Sequence, residues 1–159
     1  VTQFTFALIK SKAIRRNLHP IVLARILEAG FTIYRAQWCK LAPEIVEDFY
    51  HEHLGRPYWD DLARSVSGHV IALVLLKDNA VESWRALMGA TDPRKAAAGT
   101  LRTLAADETV LAHNVVHGSD SAENAAREIK LIFGHRVWYK MIVDVGGVAG
   151  VAIGPKTEE

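Results

Sequence analysis

Strand-like and helix-like segments alternate along this chain, and no other feature narrows its fold as much. Residues 4–9 are apolar and rich in β-formers, as in a central strand. Pro20 suits the first turn of a helix in which Val22, Leu23, Ile26 and Leu27 form one apolar stripe, closed by Gly30. Residues 31–39 alternate aromatic and polar side chains like a strand. Pro43 opens another helix, with Ile45, Val46, Phe49, Tyr50 and His53 on one face and Gly55 at its end. A turn over residues 54–59 leads into a short helix ending near Ser65, and residues 70–76 read as a buried strand. Residues 80–88 are helical, with Val81, Trp84 and Met88 facing inward. Residues 89–113 have little regular pattern, and a long irregular segment inside a compact domain is usually functional. Val115-Val116 is short and β-like. Residues 121–133 form an amphipathic helix with Ala122, Ala125, Ala126, Ile129, Ile132 and Phe133 inward. Asp120-Ser121-Ala122-Glu123 opens it as a capping box. The order predicts an α/β or α+β domain whose helices cover one sheet.

Bulk properties exclude several function classes. A chain of 159 residues, half of them hydrophobic, suits one domain with a real core. A formal net charge of +1 gives no general attraction to nucleic acid or membrane, so local basic residues must carry any anion binding. No run of 18 apolar residues exists, and residues 1–4 lack the blocks of a signal peptide. Cys39 is the only cysteine, which rules out an intrachain disulfide and fits a reducing compartment. From Gly134 onward the composition shifts. Trp138, Tyr139 and Met141 lead into the glycine-rich residues 145–150, a tail too rich in glycine for a stable helix and too apolar for a linker. The expected division is a domain over residues 1–133 and a tail over 134–159. Gly146-Gly147-x-x-Gly150 lacks the strand-to-helix context of a dinucleotide fingerprint, and His51-Glu52-His53 is not a zinc-binding HExxH.

The chemistry concentrates in His117-Gly118-Ser119-Asp120-Ser121. Glycine lets the backbone turn sharply beside the imidazole, and the helix start that follows offers N–H groups suited to phosphate. Neutral imidazole is a nucleophile near pH 7, given one free nitrogen and a partner on the other. Glu128 can reach back from the following helix as that partner. Phosphoryl transfer needs cations around the phosphates and an in-line nucleophile. Lys10, just past the first strand, and Arg85 and Arg102, bracketing the irregular loop, are the candidate cations. No GxxxxGK[ST] motif is present, so a P-loop enzyme is excluded.

Several motifs together resemble the nucleoside diphosphate kinase family. They are Ala7-Leu8-Ile9-Lys10, Phe49-Tyr50-x-x-His53-x-Gly55-Arg56-Pro57-Tyr58, Arg85-x-Leu87-Met88-Gly89-Ala90-Thr91-Asp92-Pro93, Gly99-Thr100-Leu101-Arg102, Asn114-Val115-Val116-His117-Gly118-Ser119-Asp120-Ser121 and Glu128-Ile129. The segment 49–58 resembles the divergent type-six branch. The resemblance implies a ferredoxin-like α+β sandwich with a four-stranded antiparallel sheet. It implies that His117 takes the phosphoryl group and passes it on, oriented by Glu128 with Ser119, with Tyr50 near the transferred phosphate. By the same resemblance Lys10 and Asn114 bind the sugar hydroxyls, with Lys10 also near the phosphates. Arg85, Thr91 and Arg102 hold the phosphates. Tyr58 stacks on the base where the family has phenylalanine, and Leu111 contacts its other face. Mg2+ arrives with the nucleotide and has no protein ligand of its own. Nucleoside di- and triphosphates are the implied partners, in a hexamer or tetramer of identical chains. The implied setting is the cytoplasm, with mitochondria as the alternative, and neither membrane nor nucleic acid is an expected partner.

The sequence departs from the family pattern in its loops. Ser11-Lys12 stands where the family has Pro-Asp, Thr103-Leu104-Ala105 where it has Gly-Asp-Phe, and Ala98 where it has proline. The spacing from Arg102 to Asn114 is two residues longer than usual. These changes keep a second expectation open, a nucleotide-binding or regulatory protein of the same fold with weak or no kinase turnover. Packing alone accounts for Tyr50 as well as catalysis does, until the family pattern is considered. Lys12 reads as a solvated lysine and Cys39 as a small core or interface residue.

Overall fold

The computed structural model describes residues 2–107 and 113–144. Its framework is a four-stranded, fully antiparallel sheet in the order β2-β3-β1-β4. The strands are β1 (Thr2–Ile9), β2 (Thr32–Lys40), β3 (His69–Asp78) and β4 (Val116–Gly118). The two central strands, β1 and β3, are nearly continuous apolar runs because both faces of the sheet are covered. Ala7, Ile9, Ile71, Leu73 and Leu75 face α2 (His19–Glu28) and α5 (Ala80–Met88), packing on Val22, Ile26, Trp84 and Met88. Phe4, Phe6, Leu8, Val70, Ala72 and Val74 point the other way. They pack on Val46 and Phe49 of α3 (Pro43–Phe49), Ile129 of α6 (Ala122–Phe133), and Trp138, Met141 and Ile142 of α7 (His135–Asp144). The strict alternation of side chains along each strand divides the core into these two halves. This is the α+β sandwich expected from the sequence.

β2 is an edge strand and mostly exposed, which explains its mixed aromatic and polar sequence. Several expectations need correction. A helix of one and a half turns, α1 (Ser11–Arg15), follows β1 and is too short to show a period in sequence. Leu27 is 57% exposed, because it lies about 100° around α2 from the buried Ile26. The helix opened by Pro43 stops at Phe49, and a separate 3-10 turn carries His51–His53 before α4 (Trp59–Ser65). The N-cap of α6 is Ser121 rather than Asp120. Ser121 Oγ accepts the Asn124 N–H at 3.1 Å, so Glu123 sits too early to close a capping box. The segment after Gly134 begins with the glycine-free helix α7, not an irregular tail. The glycine-rich residues 145–150 lie outside the described residues.

Candidate active site

The position of His117 follows from strand register. β4 pairs with β1 so that Leu8 stands opposite His117, and Ala7 opposite Gly118. His117 therefore projects to the face that holds Phe6 and α3. Its ring meets Phe49 edge-on at 4.9 Å, Tyr50 at 5.7 Å and Phe6 at 6.3 Å between centroids. Gly118 projects to the opposite face, where a Cβ would lie 2.4 Å from two atoms of the Trp84 indole. Gly118 is not among the glycines with positive φ, so close packing and not a sharp turn requires it. The indole uses this closeness. Trp84 Nε1 donates to the His117 carbonyl oxygen at 3.2 Å, tying α5 to the backbone of β4.

The imidazole is oriented from one side. His117 Nε2 lies 3.3 Å from Glu128 Oε1, across a side chain that is only 6% exposed. Ser119 Oγ donates to Glu128 Oε2 at 2.5 Å, and Ser119 N donates to the Phe6 carbonyl at 3.2 Å. The carboxylate is thus fixed by a buried hydroxyl and accepts the imidazole N–H. Nδ1 is the ring nitrogen that Glu128 does not engage, and it carries the lone pair.

Lys10, Tyr50, Tyr58, Arg85, Thr91, Arg102, Asn114, His117 and Glu128 all line one cleft of about 640 Å³. Ser119 lies behind it, bonded to Glu128. Leu111 is outside the described residues. Lys10 leaves β1 at its C-terminal end, is 4% exposed, and donates from Nζ to Ser65 Oγ at 3.3 Å. Burial, and then the positive Arg102, bring its ammonium group down to about 7. Arg102 donates from Nη1 to the Gly89 carbonyl at 2.9 Å and from Nη2 to the Val116 carbonyl at 3.3 Å. Burial, then Arg85, lower it to about 10. Arg85 stands exposed on α5. Arg102 thus repels both Lys10 and Arg85 within one cleft, an arrangement that a polyanion relieves.

Two buried polar atoms strengthen that reading. Among the described residues the Tyr50 hydroxyl and Arg102 Nε find no hydrogen-bond partner, and buried donors are normally satisfied. Burial, and then Glu128, push the Tyr50 phenol far up, so it stays a neutral donor. Among the described residues no group of three or more His, Cys, Asp or Glu side chains is placed to hold a metal ion. No helix among them is long and apolar enough to cross a membrane.

Sequence reasoning missed three contributors. The sequence marks Trp84 only as an inward-facing core residue, yet it anchors the backbone of His117. Phe49 lies on an apolar face and opens a family motif, but neither points to the packing of its ring against the imidazole. Arg127 donates to the Asp48 and Phe49 carbonyls at 3.2 and 3.0 Å, closing the end of α3 beside Tyr50. No signal in the sequence ties Arg127 to α3, since the two are nearly 80 residues apart.

Known proteins resemble this chain over most of its length. The family model "Nucleoside diphosphate kinase" matches residues 3–137. A nucleoside diphosphate kinase of Geobacter sp. is 48% identical over 130 residues, covering 81% of this chain and 93% of that protein. One from Deinococcus radiodurans is 44% identical, covering 82% and 94%. Among solved structures, the apo nucleoside diphosphate kinase of Encephalitozoon cuniculi superposes with a TM-score of 0.79 at 33% identity, covering 85% of this chain and 91% of that one. The halophilic enzyme of Halobacterium salinarum, solved in complex with CDP, gives 0.78 at 31% identity, covering 86% and 90%. A match over most of the chain, at this identity and in the same fold, shows that the chain belongs to the nucleoside diphosphate kinase family.

Proposed function

We propose that His117 Nδ1 attacks the γ-phosphorus of a nucleoside triphosphate, and that the resulting phosphohistidine then phosphorylates a nucleoside diphosphate. The activity is that of a nucleoside diphosphate kinase, a phosphotransferase. In the first half-reaction the Nδ1–P bond forms as the bond from phosphorus to the bridging oxygen breaks, and the nucleoside diphosphate leaves. In the second, a terminal oxygen of another nucleoside diphosphate attacks the same phosphorus and the N–P bond breaks. Nε2 keeps its proton throughout, held on Glu128, which stabilises the positive charge that develops on the ring. Ser119 holds Glu128 in that position.

The observation that carries this reading is the orientation of His117: one nitrogen on a buried carboxylate, in a cleft rimmed by Lys10, Arg85 and Arg102. Arg85, Arg102 and Thr91 hold the phosphates in this reading, and Tyr50 donates to an oxygen of the transferred group. Lys10 and Asn114 take the sugar and the adjoining phosphate. Tyr58 stacks on the base, which every base tolerates because each has a π-face. Mg2+ enters as part of the substrate, bound by phosphate oxygens.

Among the described residues, every one that lines the cleft precedes Gly134, which supports chemistry confined to residues 1–133, while the segment over 134–159 adds Trp138, Met141 and Ile142 of α7 to the core. A homo-oligomer, a hexamer or tetramer, is part of the reading. The exposed Ile21, Leu27 and Trp38 on α2 and edge strand β2 support it. The single free thiol of Cys39 supports a cytoplasmic setting. The test is transfer of label from γ-labelled ATP to GDP with Mg2+. The wild-type chain exchanges label, and His117→Ala binds ADP without exchanging it. Exchange by His117→Ala at the wild-type rate would sink the proposal.

A further inference from the structure

The turn that carries Tyr58 holds its ring by a side-chain bond. Tyr58 is 45% exposed, and its hydroxyl lies 2.8 Å from His53 Nδ1, with ring centroids 5.6 Å apart. His53 is half-buried and fixed in its turn. Its N–H donates to the Tyr50 carbonyl at 2.8 Å, its carbonyl accepts from Arg56 N at 3.2 Å, and its ring meets Tyr50 edge-on at 6.0 Å. Tyr50 in turn touches His117. An unbroken run of rings, His117–Tyr50–His53–Tyr58, therefore joins the reacting end of the cleft to its outer end.

An exposed aromatic side chain on a turn samples several rotamers, and a ligand that stacks on it must select one. A hydrogen bond to a fixed neighbour makes that selection before the ligand arrives. We infer that His53 is a positioning residue that pre-orients the Tyr58 ring as the stacking platform for the nucleobase. This rests on the reading of Tyr58 as the base contact. His53 does not touch the phosphates in this account, so its contribution is confined to ligands that carry a base.

The test compares ADP with inorganic tripolyphosphate by titration calorimetry, on the full chain. His53→Phe and Tyr58→Phe each remove the bond while keeping a ring at their own position. Each is expected to weaken ADP by about three- to tenfold, the range for one modest hydrogen bond. Each is expected to leave tripolyphosphate unchanged and to raise KM for ADP with little change in kcat. The double variant should be no weaker than either single one. His53→Asn, whose side-chain oxygen can replace Nδ1 as acceptor, should restore most of the affinity. Equal loss of ADP and tripolyphosphate in His53→Phe would mean a general structural role and overturn the inference. So would wild-type ADP affinity in His53→Phe while Tyr58→Ala weakens it. If Tyr58→Ala also leaves ADP affinity unchanged, the stacking reading itself fails, and the inference with it.

Discussion

Substitution of Gly118 by alanine puts the packing around His117, the proposed nucleophile, under direct stress. The new Cβ would stand 2.4 Å from both Cδ1 and Nε1 of Trp84 and 2.6 Å from the terminal carbon of Met88. Ordinary contact begins near 3.4 Å, so a separation of about 1 Å must be made. Met88 is flexible and can yield. Trp84 is fully buried and packed edge-on against Phe31 at 6.2 Å, so the indole has no free space to enter. Either α5 or β4 must shift. Overpacking of this kind costs about 1–3 kcal/mol, and a domain of this size loses about 2–4 °C of Tm per kcal/mol. The same shift breaks the bond from Trp84 Nε1 to the His117 carbonyl and moves the imidazole. A misplacement of about 1 Å can cost roughly 100-fold in rate. Calorimetric melting and rapid-quench labelling of His117 from ATP check both halves, with Trp84→Phe as a comparison that loses the N–H and part of the ring, leaving a cavity beside Gly118 rather than a clash. A Gly118→Ala protein with wild-type Tm and wild-type labelling rate would refute the packing account of this glycine.

Two further outcomes follow from the cations. Lys10 is half-protonated near pH 7 in the free enzyme, and phosphates favour its charged form, so nucleotide binding above pH 7 must take up a proton. ADP affinity should fall toward tenfold per pH unit as pH rises through 7, with proton uptake visible as buffer-dependent binding heat. Lys10→Arg should abolish that dependence, and a flat wild-type profile from pH 6 to 8.5 would contradict it. Arg85→Ala and Arg102→Ala should each weaken ADP binding, by about 1.5–3 kcal/mol if one charge-assisted bond is lost. Only Arg102→Ala should also lower Tm, because Arg102 ties the Gly89 and Val116 carbonyls together whereas Arg85 is exposed. Equal Tm values for the two variants would argue against that division.

What was readable in the sequence is what depends on local pattern. β1, β3, α5 and α6 carry long apolar periods, and each forms close to where its period places it. The pairing of His117 with Glu128 was readable because strand and helix are adjacent in the chain, 11 residues apart. Contacts made across the fold were not. The bond from Lys10 to Ser65 spans 55 residues, and that from Arg127 to the end of α3 nearly 80. Gly118 is required by close packing and not by the turn that its sequence context suggests. A glycine required by a neighbour's side chain looks the same in sequence as one required by a turn, and only the position of Trp84 distinguishes them. Ser121 and Asp120 are likewise both good caps by residue type, and the backbone geometry chooses Ser121.

The central claim is that the phosphoryl group resides on Nδ1 of His117 because Glu128 occupies Nε2. Phosphorus NMR of the full chain labelled with ATP and Mg2+, read together with imidazole proton–nitrogen correlations, identifies the phosphorylated atom. The account predicts a single acid-labile phosphohistidine on His117, bonded through Nδ1, with Nε2 still carrying its proton. Phosphate on Nε2, on Ser119, or on any other histidine would contradict it.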